Sequence, residues 1–254
     1  MKKLFFLTLC TVIIHSPLSF AEIFTVDTEP PEPTDPKELY IRTVRKEITL
    51  GKKYRLTMLT PERLDNIEYC MKEILEDGIP GDCVETGVWR GGATILMRAI
   101  LKAYQDSDRL VWVVDSFEGL PTPNLARYPA DAEFLKFKQG TFGVPLETVM
   151  NNFARFNLLD NRVVFVKGWF SETLPTAPIE QISLLRLDGD LYESTMDALN
   201  SLYHKVSPGG FIIIDDYGCF KACALAVEDF RKEHGIEEPL HIIDFTGVYW
   251  RKSK

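Results

Sequence analysis

Two apolar runs in the second half of the sequence end abruptly in acid. Leu184-Leu-Arg-Leu187 leads into Asp188 and Asp190, and Phe211-Ile-Ile-Ile214 leads into Asp215 and Asp216. Short runs of this kind, bounded by turn residues, read as buried strands. Between them Tyr192, Met196, Leu199, Tyr203 and Val206 recur at helical spacing, and Pro208-Gly209-Gly210 breaks the chain before it re-enters the sheet. A strand, helix, strand order makes the two strands parallel neighbours, so both acidic ends fall on one sheet edge. That is the edge where open α/β sheets bind ligands. Carboxylates gathered in one crevice repel each other unless a positive charge sits among them, and hard divalent cations such as Mg²⁺ prefer such oxygens. The plain alternative is a set of solvated turn acids.

A second stretch offers a ligand loop. Asp82-Cys-Val-Glu-Thr-Gly87-Val-Trp-Arg-Gly91-Gly92 reads as a strand, a glycine turn and a helix bearing Ile95, Leu96, Ala99 and Ile100. Glycine lets backbone approach a ligand, and the helix start offers unpaired N–H groups. The dinucleotide fingerprint is absent, since Glu85 occupies its first glycine position and Gly91 follows Gly87 by four residues. An acid ahead of the first glycine suits a positive amino group better than a pyrophosphate. The next strand, Leu110 to Val114, ends in Asp115-Ser116-Phe117, where a carboxylate can grip ribose hydroxyls. Together these point to an adenosine ligand without an anionic phosphate.

Five ordered stretches carry a family resemblance: Glu85-Thr-Gly-Val-Trp-Arg-Gly-Gly92, Val114-Asp-Ser-Phe-Glu-Gly-Leu-Pro121, Val166-Lys-Gly-Trp-Phe-Ser-Glu-Thr-Leu-Pro175, Leu187-Asp-Gly-Asp-Leu-Tyr-Glu-Ser-Thr195 and Ile214-Asp-Asp-Tyr217. Over residues 54 to 251 the chain resembles the macrocin O-methyltransferase family, which methylates sugar hydroxyls of macrolide and aminocoumarin antibiotics. The resemblance implies a Rossmann-like class I α/β fold. Its mostly parallel seven-stranded sheet would end in an antiparallel hairpin, with helices on both faces. It implies S-adenosylmethionine and Mg²⁺ as cofactors, a small hydroxylated acceptor and an oligomeric state. By the same resemblance Glu85 and Gly87, with Val88, Trp89, Arg90 and Gly91 beside them, contact the methionine part. Asp115 and Ser116, followed by Phe117, hold the ribose; Gly168 and Trp169 lie near the adenine; Thr60 touches the cofactor from a covering helix. Asp188, Asp215 and Asp216 carry the metal.

A sugar hydroxyl is too weak an acid to attack a methyl sulfonium quickly at neutral pH, and a metal that binds the oxygen lowers its pKa. Asp188 is then the first choice for general base. Asp190 and Glu193 are weaker choices because each can instead cap the helix that begins near Tyr192. His204, His234 and His241 have no motif around them.

The flanking segments bear on where this chemistry happens. Met1 to Ala21, with two lysines, a short apolar core and small residues at its end, fits a secretory signal and points to export, with the cytoplasm the expectation if it is unused. Residues 22 to 53 read as a proline-rich linker and extension, and 54 to 254 as the catalytic domain. Thr60-Pro61 starts a helix whose apolar face is Leu64, Ile67, Met71, Ile74 and Leu75. Residues 117 to 150 are rich in turn residues and read as a lid, with a helix over Ala130 to Lys138 and with Tyr128, Phe134 and Phe142 as candidates to stack on a ring. Leu240 to Ile243 and Gly247 to Trp250 form the terminal hairpin. Cys70, Cys83, Cys219 and Cys223 read as packing residues, Cys219 and Cys223 being one helical turn apart; a disulfide of the exported form is the alternative. A net charge of −8 leaves no basic stripe for nucleic acid. The signal keeps a second reading open, an exported binding protein on an inactive methyltransferase scaffold. A metal-assisted hydrolase would have no use for the adenosine grip.

Overall fold

The computed structural model describes residues 32–253, so the signal-type segment 1–21 lies outside the described residues. Helix α1 (Pro36–Thr49) opens the compact unit, which begins at Pro33, and the Asp35 carboxylate caps it by accepting from the Lys37 N–H (2.9 Å). Its Ile41, Val44 and Ile48 are buried in the core. The expected linker and extension over 22–53 is therefore corrected where it is described: residues 36–49 are a packed helix, while 22–31 lie outside the described residues. Apolar residues at helical spacing outweigh the prolines just upstream.

A single turn, α2 (Gly51–Tyr54), leads to α3 (Pro61–Glu76), where Thr60 Oγ1 accepts from the Arg63 N–H as the sequence predicts. The chain then alternates through β1 (Asp82–Thr86), α4 (Gly92–Ala103), β2 (Val111–Asp115), a 3-10 segment (Pro129–Lys136) and α5 (Leu146–Arg155). It continues through β3 (Val163–Lys167), α6 (Phe170–Thr173), β4 (Ile182–Leu187), α7 (Tyr192–Leu202), β5 (Val206–Ile214), α8 (Lys221–Glu233), β6 (His241–Ile242) and β7 (Val248–Arg251). The sheet order is β3-β2-β1-β4-β5-β7-β6. Strands β1 to β5 are parallel, β7 runs antiparallel to β5, and β6 pairs antiparallel with β7 at the edge. This is the mostly parallel sheet with a terminal hairpin that the resemblance implies.

Alternation along the strands sorts the core into two faces. Cys83, Val111, Val113, Leu184, Phe211 and Ile213 pack with α1, α3, α4 and α5. Val84, Val114, Leu185, Leu187, Ile212 and Ile214 pack with α7 and α8. Strand order reverses between β1 and β4, so the crevice for a ligand opens there.

Four local expectations need correction. The helix after Asp190 stops at Leu202; Tyr203–Lys205 tightens into a 3-10 turn and Val206 already belongs to β5. Pro208-Gly209-Gly210 lies inside β5, where Gly209 at φ +86 lets the strand bulge between its pairings with Ile182 and Leu184. The helix expected over 130–138 is a 3-10 segment, Pro129–Lys136, rather than α-helical, and Phe134 is core, packed on Phe220 at 4.8 Å. Cys219 is exposed and precedes α8, whereas Cys70, Cys83 and Cys223 are buried, and all four are free thiols. Among the described residues no helix is long and apolar enough to cross a membrane.

Candidate active site

The parallel register lines up the carboxyl ends of four strands. Thr86 pairs with both Val114 and Leu187, and Leu187 pairs with Ile214, so Asp115, Asp188 and Asp215 emerge on one edge. A cavity of about 690 Å³ opens there. Glu85, Gly87, Val88 and Trp89 line it from the β1 loop, Asp115 and Ser116 from β2, and Gly168 and Trp169 from the β3 loop. Asp188, Asp215 and Asp216 complete the acidic end.

Four expected contacts do not reach the cavity. Thr60 turns its hydroxyl to Asp244 Oδ2 (2.8 Å), and Thr57, Met58 and Leu59 line the wall in its place. The Arg90 guanidinium donates to Arg55 O (3.0 Å) and lies over the Trp89 ring. Gly91 is the left-handed N-cap of α4, where a Cβ would press on Val149. Phe117 is buried in the core. These residues shape the loops that border the cavity.

Gly87 is required by geometry. Its φ is +82, and a Cβ would drive into the Asp188 carbonyl, so the β1 and β4 tips can touch only without a side chain there. Asp115 ties the same loop to β2, accepting from the Val88 N–H through Oδ2 and from the Phe117 N–H through Oδ1, each at 2.7 Å. Burial raises its pKa, and these N–H groups oppose the rise. Carboxylate oxygens accept more than one hydrogen bond, so Asp115 keeps capacity for hydroxyls.

Behind the strand tips sits an arginine that the apolar reading of its strand passed over. Arg186 is 1% exposed, pairs in register with Glu85, and shares the face of Leu184. Its guanidinium donates to Glu85 Oε1 and Asp215 Oδ1 and lies 3.0 Å from Asp188 Oδ2. Arg63 of α3 binds the other oxygen of Asp215 and lies 3.0 Å from Asp244 Oδ2. Strict alternation from Leu184 would have flagged Arg186 as facing the acids.

Charge remains unbalanced. Burial, then the neighbouring Asp215 charge, pushes the Asp188 carboxyl well above the usual range, against the pull of Arg186. Burial and then Asp190 raise Asp216, and burial and then Asp215 push Asp190 up to about 7. Asp190 does not cap α7; its backbone is left-handed at φ +59 and its N–H donates to Asp216 Oδ2 (3.2 Å). Asp188, Asp215 and Asp216 each offer an oxygen within 4.8 Å of the others. That donor set fits a hard divalent cation, whose charge the two guanidiniums leave room for. At the other end the buried Glu85 Oε2 has no hydrogen-bond partner among the described residues, which fits a ligand ammonium.

Comparison with known proteins matches this geometry. The family model described as Macrocin-O-methyltransferase (TylF) covers residues 34–252. The chain is 54% identical over 198 residues to the 8-demethyl-8-(2,3-dimethoxy-alpha-L-rhamnosyl)-tetracenomycin-C 4'-O-methyltransferase of Streptomyces olivaceus, covering 78% of this chain and 76% of that one. It is 51% identical over 200 residues to the mycinamicin III 3''-O-methyltransferase of Micromonospora griseorubida, with 78% of each chain covered. The solved O-methyltransferase NovP superposes with a TM-score of 0.82 at 41% identity, over 86% of this chain and all of that one (100%). The family match over residues 34–252 and relatives at about half identity place the chain in the macrocin-O-methyltransferase family, and it is an S-adenosylmethionine-dependent O-methyltransferase.

Proposed function

We propose that the enzyme methylates a sugar hydroxyl of a glycosylated small molecule, with Mg²⁺ held by Asp188, Asp215 and Asp216. The observation that carries this reading is the three-carboxylate cluster, within 4.8 Å, opening on the same cavity as Glu85 and Asp115. The relatives' names support the acceptor class, since one is named for a rhamnosyl-bearing tetracenomycin and the other for mycinamicin III. A bound divalent cation would polarise the acceptor hydroxyl and lower its pKa.

The chain's own residues do the rest. Glu85 and Asp115 hold the amino and ribose ends of the methyl donor, while Gly87 and Val88 bring backbone close beside them. In-line displacement at the methyl carbon is mostly positioning, and the strand-tip crevice supplies it. As the acceptor oxygen attacks, its proton needs a carboxylate. Asp188 was the sequence choice, but it is shared between Arg186 and the ligand set, which weakens it as a base. The structure withdraws the reason for discounting Asp190, because α7 has no side-chain cap of its own and Asp190 faces the cavity without an ion pair or a bond to its carboxylate among the described residues. We therefore assign the proton to Asp190 and the cation to Asp188.

The test is methyl transfer from S-adenosylmethionine to deoxysugar glycosides, before and after chelation. Turnover should vanish with EDTA and return with Mg²⁺. Asp188→Asn should abolish turnover while S-adenosylmethionine still binds, and Asp190→Asn should remove the pH dependence of the remaining rate. Turnover that survives both EDTA and Asp188→Asn overturns the metal assignment. For residues 1–21 we propose an export signal, to be checked by fractionating cells that express the full chain.

A further inference from the structure

The first N–H groups of a helix have no partner within it and must find one outside. For α7 the residue at the cap position is Leu191, which has no acceptor to offer. The need is met from the segment after β2. Asp131, fully buried, accepts from the Tyr192 N–H through Oδ1 (2.6 Å) and from the Glu193 N–H through Oδ2 (3.2 Å). The same arrangement recurs one helix later. Phe220 at the cap of α8 has no acceptor, and Glu133 Oε1 takes the Ala222 N–H at 2.9 Å. Around these bonds Leu120, Phe134, Leu191 and Ala222 form a small core of their own.

One 3-10 segment therefore grips the starts of both helices that follow the acid-tipped strands. Only short loops separate those strands from their helices, and the loops carry Asp188, Asp190, Asp215 and Asp216. Asp190 is held there in left-handed backbone at φ +59, a conformation that a residue with a side chain keeps when its surroundings enforce it. Its N–H ties it to Asp216 across the two loops (3.2 Å). Anchoring residue 192 on one side and Asp188, whose N–H donates to Thr86 O (2.8 Å), on the other leaves the intervening turn no slack.

We propose that Asp131 is a positioning residue for methyl transfer, acting through the turn that carries Asp188 and Asp190. It does not line the cavity. It sets where the carboxylates stand, and Glu133 does the same for the loop after β5. The inference rests on the roles given above to those carboxylates.

Two measurements on the full chain test it. In Asp131→Ala, kcat should fall by about ten- to hundredfold, the scale of a small misplacement made at a distance from the chemistry. Donor affinity should hold, because Glu85 and Asp115 lie on other loops. Asp131→Asn keeps one accepting oxygen and should fall between. Amide exchange, followed by mass spectrometry without substrates, should quicken over residues 188–193 and stay unchanged over β1. An unchanged kcat overturns the proposal, as does a loss in which kcat, donor affinity and β1 protection decline together. If Asp131→Ala does not fold, Asp131→Asn decides by the same two readouts, and wild-type behaviour in both overturns the idea. Should the wild type fail to methylate any glycoside, the functional reading fails, while the exchange data still judge Asp131.

Discussion

Replacing Arg186 with Met would keep most of the side-chain volume and remove the charge that Glu85, Asp188 and Asp215 share. Glu85 and Asp215 are buried beside Arg186, which is itself 1% exposed, while Asp188 is part-exposed at the cavity. Removing one partner of a buried ion pair typically costs about 3–5 kcal/mol, because a buried carboxylate such as Glu85 is left neither solvated nor paired. Arg63 still serves Asp215, so the burden falls on Glu85 and Asp188. For a domain of this size about 2–4 °C is lost per kcal/mol, which gives a fall in Tm of roughly 6–20 °C at neutral pH. The pH dependence separates charge from packing. Burial already raises Glu85 and Asp188, and loss of the guanidinium raises them further. A carboxylate whose folded pKa lies above its unfolded value penalises folding at high pH, and the penalty disappears as pH falls toward the unfolded value. Thermal melts of wild type and variant from pH 8 to pH 5 should therefore converge as pH drops. A deficit of equal size across that range would mean lost packing, and no deficit at all would refute the charge network as a stabilising element.

Gly87→Ala should abolish donor binding in calorimetric titration, since a Cβ at φ +82 collides with the Asp188 backbone and forces the β1 and β4 tips apart. Asp244 is the opposite case to Asp188. Burial opposes it, but N–H groups of Gly247 and Thr246, the Thr60 hydroxyl and the Arg63 charge hold its pKa at about 2. A depressed carboxylate stabilises the fold above its unfolded pKa, and that share is lost as pH falls through about 2, so Asp244→Asn should flatten the acid limb of denaturation between about pH 4 and pH 2. Phe245 is 79% exposed yet borders the cavity, so Phe245→Ser should change stability by less than about 0.5 kcal/mol while altering acceptor KM. An unchanged KM would place the acceptor elsewhere in the cavity.

The acidic strand tips were legible because each apolar run ends where its acids begin, and parallel pairing follows from the helix between them. Gly87 was legible as a close approach, though its partner, the Asp188 carbonyl, was not. Arg186 was hidden by three leucines, and only its place in the alternation, on the face of Leu184, marks it as pointing at Glu85. Helix α1 was masked by the prolines before it, although Ile41, Val44 and Ile48 already carry the helical repeat. The end of α7 was misread because Tyr203 and Val206 prolong the apolar spacing past the turn that stops it. Thr60 was correctly an N-cap, but its hydroxyl is taken by Asp244, 184 positions away, which no local pattern reveals. The caps from Asp131 and Glu133 are of the same kind. They satisfy helices 61 and 89 residues downstream.

The charge network also has a consequence for the order in which the molecule is made. Arg63 reaches Asp215 across 152 residues, and the turn that orients Arg63 ends near the last strand of the chain. Contacts of such separation form slowly, and a nascent chain emerges from its amino end. On the ribosome the β4 and β5 acids would meet Arg186 early, but Arg63 could be aligned by Asp244 only after the terminal hairpin is released. The constellation is thus a late product of folding. A chain cut short before β6 would carry Asp188, Asp190, Asp215 and Asp216 but lack Asp244, the partner that aligns Arg63 toward Asp215.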